Sequence, residues 1–479
     1  MNNKVKIFAM SIFVSTALIS LSGCRFFGGD DSKNGDKIEL KIGFWPTSSD
    51  KRDVAMYNVW KQKFEADNPE YVIVGDPYTY SKETIGTKYE TNNLPMVYQT
   101  WFTEPETLLK AGYIRDITEI LDDFGWTDKL DDGMRQTLTF DNKIYGIPRD
   151  GYGLGLLINM KTLGDNGLLP EKVIDGKKQY VLYNDDGSPA YPTTFEEIYE
   201  ASVTITDNSD TKGLFVCSAN KNGGWQLSNM AWNYGAELEV LDPTTNKYNS
   251  NLNCQGMIDA LSWIQKMKQE KLIYEGVAIA YDDWPNAIGE KVAMAIVGSD
   301  IIHLAKTTGD VNMDDLAFVP MPTGDGVHHY SLYGGTPFVF DRHTTDEEVE
   351  GILKFFDYIG RSPSTSKNNF DAIREGYEVA KNKNQPIVPK IMPWKNEDYL
   401  SQAKALEDEY VSINMVNYSE FFNSVKDNQH AEVPIAAQKM YEILDGSIQE
   451  VLRYPDTSNP ATLLLTANSS FQKEIDKLQ

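Results

Sequence analysis

From Ile38 to Phe44 apolar and polar residues alternate, the period of a strand, and Trp45-Pro46-Thr47 ends it. Tyr57, Trp60 and Phe64 then fall on one face of a helix that Asn68-Pro69 closes. Tyr71-Val72-Ile73-Val74 reads as a second strand. A short helix follows near 82–90, and Met96-Val97-Tyr98 is a third strand. A helix over about 105–111 stops at Gly112. Strands alternating with helices point to an α/β fold with a mostly parallel sheet.

Further along, Leu154 to Asn159 is a nearly continuous apolar run, read as a buried strand, as are Val292–Val297 and Phe338–Phe340. Thr194-Phe195-Glu196-Glu197 and Thr345-Asp346-Glu347-Glu348 both fit a capping box, so helices should open at 195 and 346. Met257, Leu261 and Ile264 mark another helical face. Val433, Ala437, Met440, Leu444 and Val451 mark the last long one. Residues 361–395 are rich in Lys, Asn, Ser and Pro and read as irregular; the tail after Pro455 reads as loosely patterned.

The N-terminus changes the picture. Lys4 and Lys6 precede Ile7 to Leu21, an uncharged and mostly apolar run too short for the roughly 20 residues of a bilayer-spanning helix. This is the layout of a cleaved signal over residues 1–23. Leu21-Ser22-Gly23-Cys24 resembles the lipobox of bacterial lipoproteins, which implies cleavage before Cys24 and a diacylglycerol on its sulfur. Residues 24–36, rich in Gly, Asp and Ser, read as a flexible tether to the outer face of the cell membrane.

Lysine and arginine number 45 against 70 aspartates and glutamates, a net charge of −25. Such a chain is unsuited to nucleic-acid phosphates or anionic lipid surfaces, so no nucleic-acid partner is expected. Beyond Cys24 only Cys217 and Cys254 remain, too few for a disulfide scaffold; whether they pair is open. No nucleophile elbow or P-loop occurs. His303, His328 and His329 lack a companion metal motif, so neither metal nor cofactor is expected.

Several segments resemble, in order, the family 1 extracellular solute-binding proteins of ABC importers, the sugar-binding, maltose-binding-like group. They are Phe64 to Pro69, Ala111 to Ile117, Lys143 to Pro148 with Leu157 to Met160, Pro192 to Glu197, Gly289 to Met294, and Tyr333-Gly334-Gly335. The resemblance implies a periplasmic-binding-protein-like fold: two α/β lobes joined by hinge strands, with a ligand cleft between them. Transferred here, the first lobe takes residues 38–152 and 338–385, and the second 153–337 and 386–479. Crossings should lie near 150–155, near 334–338 and within 361–395. Glycines 151, 153, 155, 334 and 335 suit backbone that changes dihedrals. The implied partners are a carbohydrate and the subunits of an ABC permease, with the protein acting as a monomer.

A sugar needs hydrogen bonds at its rim and flat apolar surfaces on its faces, and Trp and Tyr supply the latter. Trp45 and Trp101 each follow a strand, where ligands bind in open α/β sheets. Arg149, Asp150 and Tyr152 lie at the first crossing, Trp225 in a Gly-rich stretch, Trp284 and Trp394 in expected loops, and Tyr333, Gly334 and Gly335 at the second crossing. Trp232, seven residues beyond Trp225, is expected in the core. Where maltose-type relatives carry an aromatic after Gly-Pro, this chain has Gly298-Ser299-Asp300; Asp300 is expected to accept hydroxyl hydrogen bonds instead. The reading is capture of a carbohydrate without turnover. Its rivals are a glycoside hydrolase with paired carboxylates and a non-transport adhesion or signalling lipoprotein.

Overall fold

The structure is a computed structural model that describes residues 37–479. The proposed signal, the tether and Cys24 lie outside the described residues. Nine strands form the main sheet: β1 (Ile38–Ile42), β2 (Tyr71–Gly75), β3 (Val97–Gln99), β4 (Ile147–Asn159), β5 (Lys212–Phe215), β6 (Val292–Gly298), β7 (Leu316–Val319), β8 (Ser331–Phe340) and β9 (Gln429–His430). The longer helices among the described residues are α1 (Lys51–Asp67), α2 (Phe195–Asn208), α3 (Asn222–Trp232), α4 (Gln255–Gln269), α5 (Asp346–Tyr358), α6 (Lys367–Asn382), α7 (Glu397–Tyr410), α8 (Ala437–Arg453) and α9 (Pro460–Asp476).

The strand order is β2-β1-β3-β8-β4-β6-β5, with β7 also on β4 and β9 on β8. β1 pairs parallel with β2 and β3, and β6 parallel with β5. At the centre the pairing turns antiparallel, because β4 and β8 are long strands shared by two halves. Ile147 and Pro148 of β4 face Phe338 and Pro337 of β8 in the first half, and Leu154–Ile158 pair with β6 in the second. Between them Gly151–Gly153 lie opposite Gly335–Tyr333. These two short stretches are the hinge joining two α/β lobes.

Each lobe has its own core. In the first, Trp60 and Phe64 of α1 and the apolar face of α5 cover β1 and β2, which agrees with the i, i+4 spacing. In the second, α2, α3, α4, α8 and α9 surround β5, β6 and the end of β4. Both capping boxes form: Thr194 with Glu197 opens α2, and Thr345 with Glu348 opens α5. Trp232 is buried in the second core.

Three expectations change. Residues 361–395 are not irregular, since α6 lies among them, started by Ser366 accepting from the Asn369 backbone. The tail is also helical: Leu464, Ala467, Phe471 and Ile475 of α9 are buried at helical spacing, and Asn459 caps it. Residues 386–410, expected in the second lobe, pack largely with the first. Trp394, Tyr399 and Ala403 join its core, while Leu406 and Tyr410 of α7 pack on Tyr377 of α6. The third passage therefore falls between Tyr410 and Ile413, the latter in the second core.

The hinge glycines take ordinary negative φ. They are required by space: a Cβ would fall 2.3 Å from the Asp150 carbonyl oxygen at Gly335 and 2.5 Å from the Tyr152 hydroxyl at Gly334. Cys217 and Cys254 are free thiols. Among the described residues no helix is long and apolar enough to cross a membrane.

Candidate functional site

The loop after β3 carries Trp101 over the hinge. Trp101 is 44% exposed, and its indole stands edge-on to Tyr80 at 5.2 Å between centroids. Tyr80 is fixed in turn by donating to Glu104 at 2.6 Å. An apolar ring held open to solvent by buried partners is preorganised to cover a ligand face.

Opposite stands the second lobe. Asn220 and Lys221 adopt left-handed backbone, and the buried carboxylate of Asp445 on α8 accepts from the Lys221 and Gly224 backbone amides at 2.6 and 2.8 Å. Gly224 is needed for this approach, since its Cβ would sit 2.3 Å from the Tyr441 carbonyl oxygen. The result aims Trp225, in the first turn of α3, at the hinge. Trp225 meets Tyr152 and Tyr281 edge-on at 6.1 and 5.5 Å. Tyr281 accepts from the Gly298 amide at 3.0 Å, so Gly298 lies flat beside Tyr152 and leaves Asp300 at the surface.

Between these walls is a cavity of about 590 Å³. Trp101 and Thr103 of the first lobe, Tyr152 and Gly335 of the hinge, and Trp225 and Asp300 of the second lobe all line it. Glu432 and Tyr441 close one side, where the tyrosine hydroxyl donates to the carboxylate at 2.8 Å. The lobes touch across it: Gln438 donates to the Thr103 hydroxyl at 3.2 Å, and Lys221 Nζ lies 6.0 Å from the Trp101 ring. Burial pushes Glu432 up to about 7. Surrounding protein, then the Asp150 charge, pushes Asp300 up to about 6. Asp300 is exposed to the cleft, so cleft water offsets part of that rise.

Two further voids adjoin. One, of about 220 Å³, shares Asp300 and is lined by Arg149 and Asp150. Arg149 Nε donates to Asp150 at 2.8 Å and its Nη1 to Gln99 at 3.2 Å, so this pair steadies the hinge while facing the void. The other, of about 450 Å³, shares Phe102, Thr103 and Glu432 and is lined by Tyr333.

Trp101, Arg149, Asp150, Tyr152, Trp225, Asp300, Tyr333 and Gly335 thus face the cleft, and Gly334 seats the Tyr152 hydroxyl. Three tryptophans are not brought to the main cavity. Trp45 packs against Tyr57 at 5.1 Å and over Gly75; Trp284 is fully buried in the second core; Trp394 is 2% exposed and meets Trp126 at 5.5 Å. Glu432, Tyr441 and Lys221 were not foreseen; nothing in their local sequence marks them. His328 pairs with Asp325 instead of His303, and no group of His, Cys, Asp or Glu among the described residues is arranged to hold a metal.

A family model described as "Bacterial extracellular solute-binding protein" matches residues 47–364, about two thirds of the chain. The chain belongs to that family. Extracellular solute-binding proteins act outside the cytoplasm, and the two-lobed fold with its hinge is theirs. The polygalacturonan/rhamnogalacturonan-binding protein YtcQ of Bacillus subtilis (strain 168) is 20% identical over 518 residues, covering 100% of this chain and 96% of that one. Among solved structures, the GacH receptor of Streptomyces glaucescens, studied with acarbose, superposes with a TM-score of 0.63. It is 16% identical over 92% of this chain and 99% of that one. UgpB of Mycobacterium tuberculosis, solved with glycerophosphocholine, gives 0.64 at 12% identity over 92% and 99%. The fold therefore serves ligands of different chemistry, and the cleft's own residues must argue for this one.

Proposed function

We propose that this protein is the receptor of an ABC importer, capturing an oligosaccharide by lobe closure and handing it unaltered to the permease. The observation that carries this reading is a cavity walled by both lobes, with Trp101, Trp225 and Tyr152 as apolar faces and Asp300, Glu432 and Lys221 as polar groups around them. Sugar C–H patches rest on such faces while hydroxyls bond to the polar groups. The adjoining voids on either side support a chain of several sugars over a single ring. The acarbose-bound GacH and the polysaccharide-binding YtcQ support the same class.

Closure follows from the two-sided wall. A ligand touching Trp101 and Trp225 at once gains contacts only when the lobes approach, so it favours the closed state by its differential affinity. The permease reads that state. The receptor works as a monomer, tethered through a lipid on Cys24; replacing Cys24 by Ser should move it from the membrane fraction to the medium, and retention at the membrane would contradict the tether.

A thermal-shift screen of mono- and oligosaccharides on the chain from Lys37 tests the ligand class. A saturable rise in melting temperature with an oligosaccharide, without products, is expected. One observation favours a hydrolase instead: Asp300 and Glu432 both face the cavity with raised pKa values, as a general acid requires. Release of shorter sugars on incubation would decide for that reading.

A further inference from the structure

The void beside Asp300 is built differently from the aromatic cavity it joins. Its walls are Arg149 and Asp150 of the hinge, Asp300 and His303 of the second lobe, and Tyr377 and Lys390 from the first-lobe side. A smaller void next to it shares Arg149, Asp150 and Lys390 and adds Arg361. Three cations thus converge on one flank of the cleft in a chain whose net charge is −25.

Asp150 and Asp300 stand in the same walls, yet among the described residues Arg149 alone of the three cations makes an ion pair. Asp150 is taken by Arg149. Glu407 turns to the Lys390 backbone amide, accepting from it at 2.9 Å. Arg361 donates to the Arg149 carbonyl oxygen at 3.3 Å, and Lys390 Nζ lies 5.0 Å from the Tyr377 ring. Among the described residues no carboxylate oxygen comes within 4.0 Å of a side-chain nitrogen of Arg361 or Lys390. The surrounding protein and the mutual repulsion of Arg361, Arg149 and Lys390 lower the affinity of both for their protons, opposed by Asp150. An anion entering this flank relieves that repulsion.

Resting on the oligosaccharide reading above, we propose that the ligand is acidic: one sugar of the chain carries a carboxylate that lodges on the Arg361–Lys390 flank, while neighbouring rings lie on the Trp101–Trp225 walls. The planar guanidinium of Arg361 suits a carboxylate, and Lys390 adds a compact second charge. The void holds about 220 Å³, the space of roughly seven waters in the liquid. Asp300, shared by both voids, sets the junction between the charged and the stacked sugars. An acidic protein repels an anionic chain at a distance, so these cations also give the ligand its place of entry.

Calorimetric titration of the purified protein with oligomers of galacturonic and of glucuronic acid, with the same oligomers methyl-esterified at every carboxyl, and with neutral malto-oligosaccharides tests this. An acidic oligomer should bind at least about tenfold more tightly than its ester, with affinity falling as salt is raised. Lys390→Gln, at an exposed position, and Arg361→Gln should each remove most of that difference and leave the ester's affinity nearly unchanged. Esters or neutral oligomers binding as well as every acid, or both variants weakening acid and ester alike, would overturn the acidic ligand and leave the oligosaccharide receptor standing. Saturation by no oligosaccharide of either charge would instead bring down the reading on which it rests.

Discussion

Trp45 and Trp101 both follow a strand of the first lobe, yet one is packed away and the other stands open. The difference lies in their neighbours. Gly75 at the end of β2 leaves a hollow that the Trp45 indole fills, whereas Tyr80 props Trp101 from the side at 5.2 Å. Neither neighbour is close in sequence, so the two residues were indistinguishable there. Trp101→Ala should weaken oligosaccharide binding about three- to tenfold, the worth of a stacked ring. Because Trp101 is half open, stability should change by less than about 0.5 kcal/mol. Calorimetry paired with urea unfolding checks both. Glu432 makes a second prediction. Its carboxyl moves from an ordinary 4.5 to about 7 through burial. The folded state holds the proton more tightly, so this group's contribution to stability is full below about pH 4.5 and is lost as pH rises through about 7. Glu432→Gln should flatten the melting temperature across that window, with the gain over the parent largest above pH 7. A variant that parallels the parent at every pH would contradict the assignment.

At the scale of elements, the parts written locally were legible. Both capping boxes, the alternation of β1 and the apolar run of β4 needed only a few adjacent residues, and each forms as expected. The family resemblance supplied the two-lobed α/β fold. What was missed depends on contacts far along the chain. α6 buries mainly Asn369, Ala372 and Tyr377, so its inner face shows little apolar residue to read. The third passage follows α6 and α7, which stay on the first core through Ala372, Tyr399 and Ala403 and pack on each other through Tyr377, Leu406 and Tyr410. The Gly-rich stretch before Trp225 is the first turn of α3, held against α8 by Asp445. Gly224→Ala must push α3 off the Tyr441 backbone, 2.3 Å from the added methyl, at a cost of about 1–3 kcal/mol. It should also shift Trp225 and weaken ligand binding, which unfolding and titration measure separately.

For the whole molecule, two cores joined by three thin passages can move against each other more easily than either can deform. The cleft between them collects groups from widely separated segments: Trp101, Tyr152, Trp225, Asp300 and Glu432. Five of the positions anticipated for the ligand line the main cavity; Glu432 and Tyr441 join them from α8 and its preceding loop, and Lys221, whose backbone amide donates to Asp445 of α8, from the loop before α3. A site assembled by both lobes ties binding to closure. Small-angle X-ray scattering of the protein with and without a saturating oligosaccharide tests that tie most directly. The radius of gyration should fall on binding; a saturated ligand that leaves the scattering curve unchanged would contradict the closing clamp.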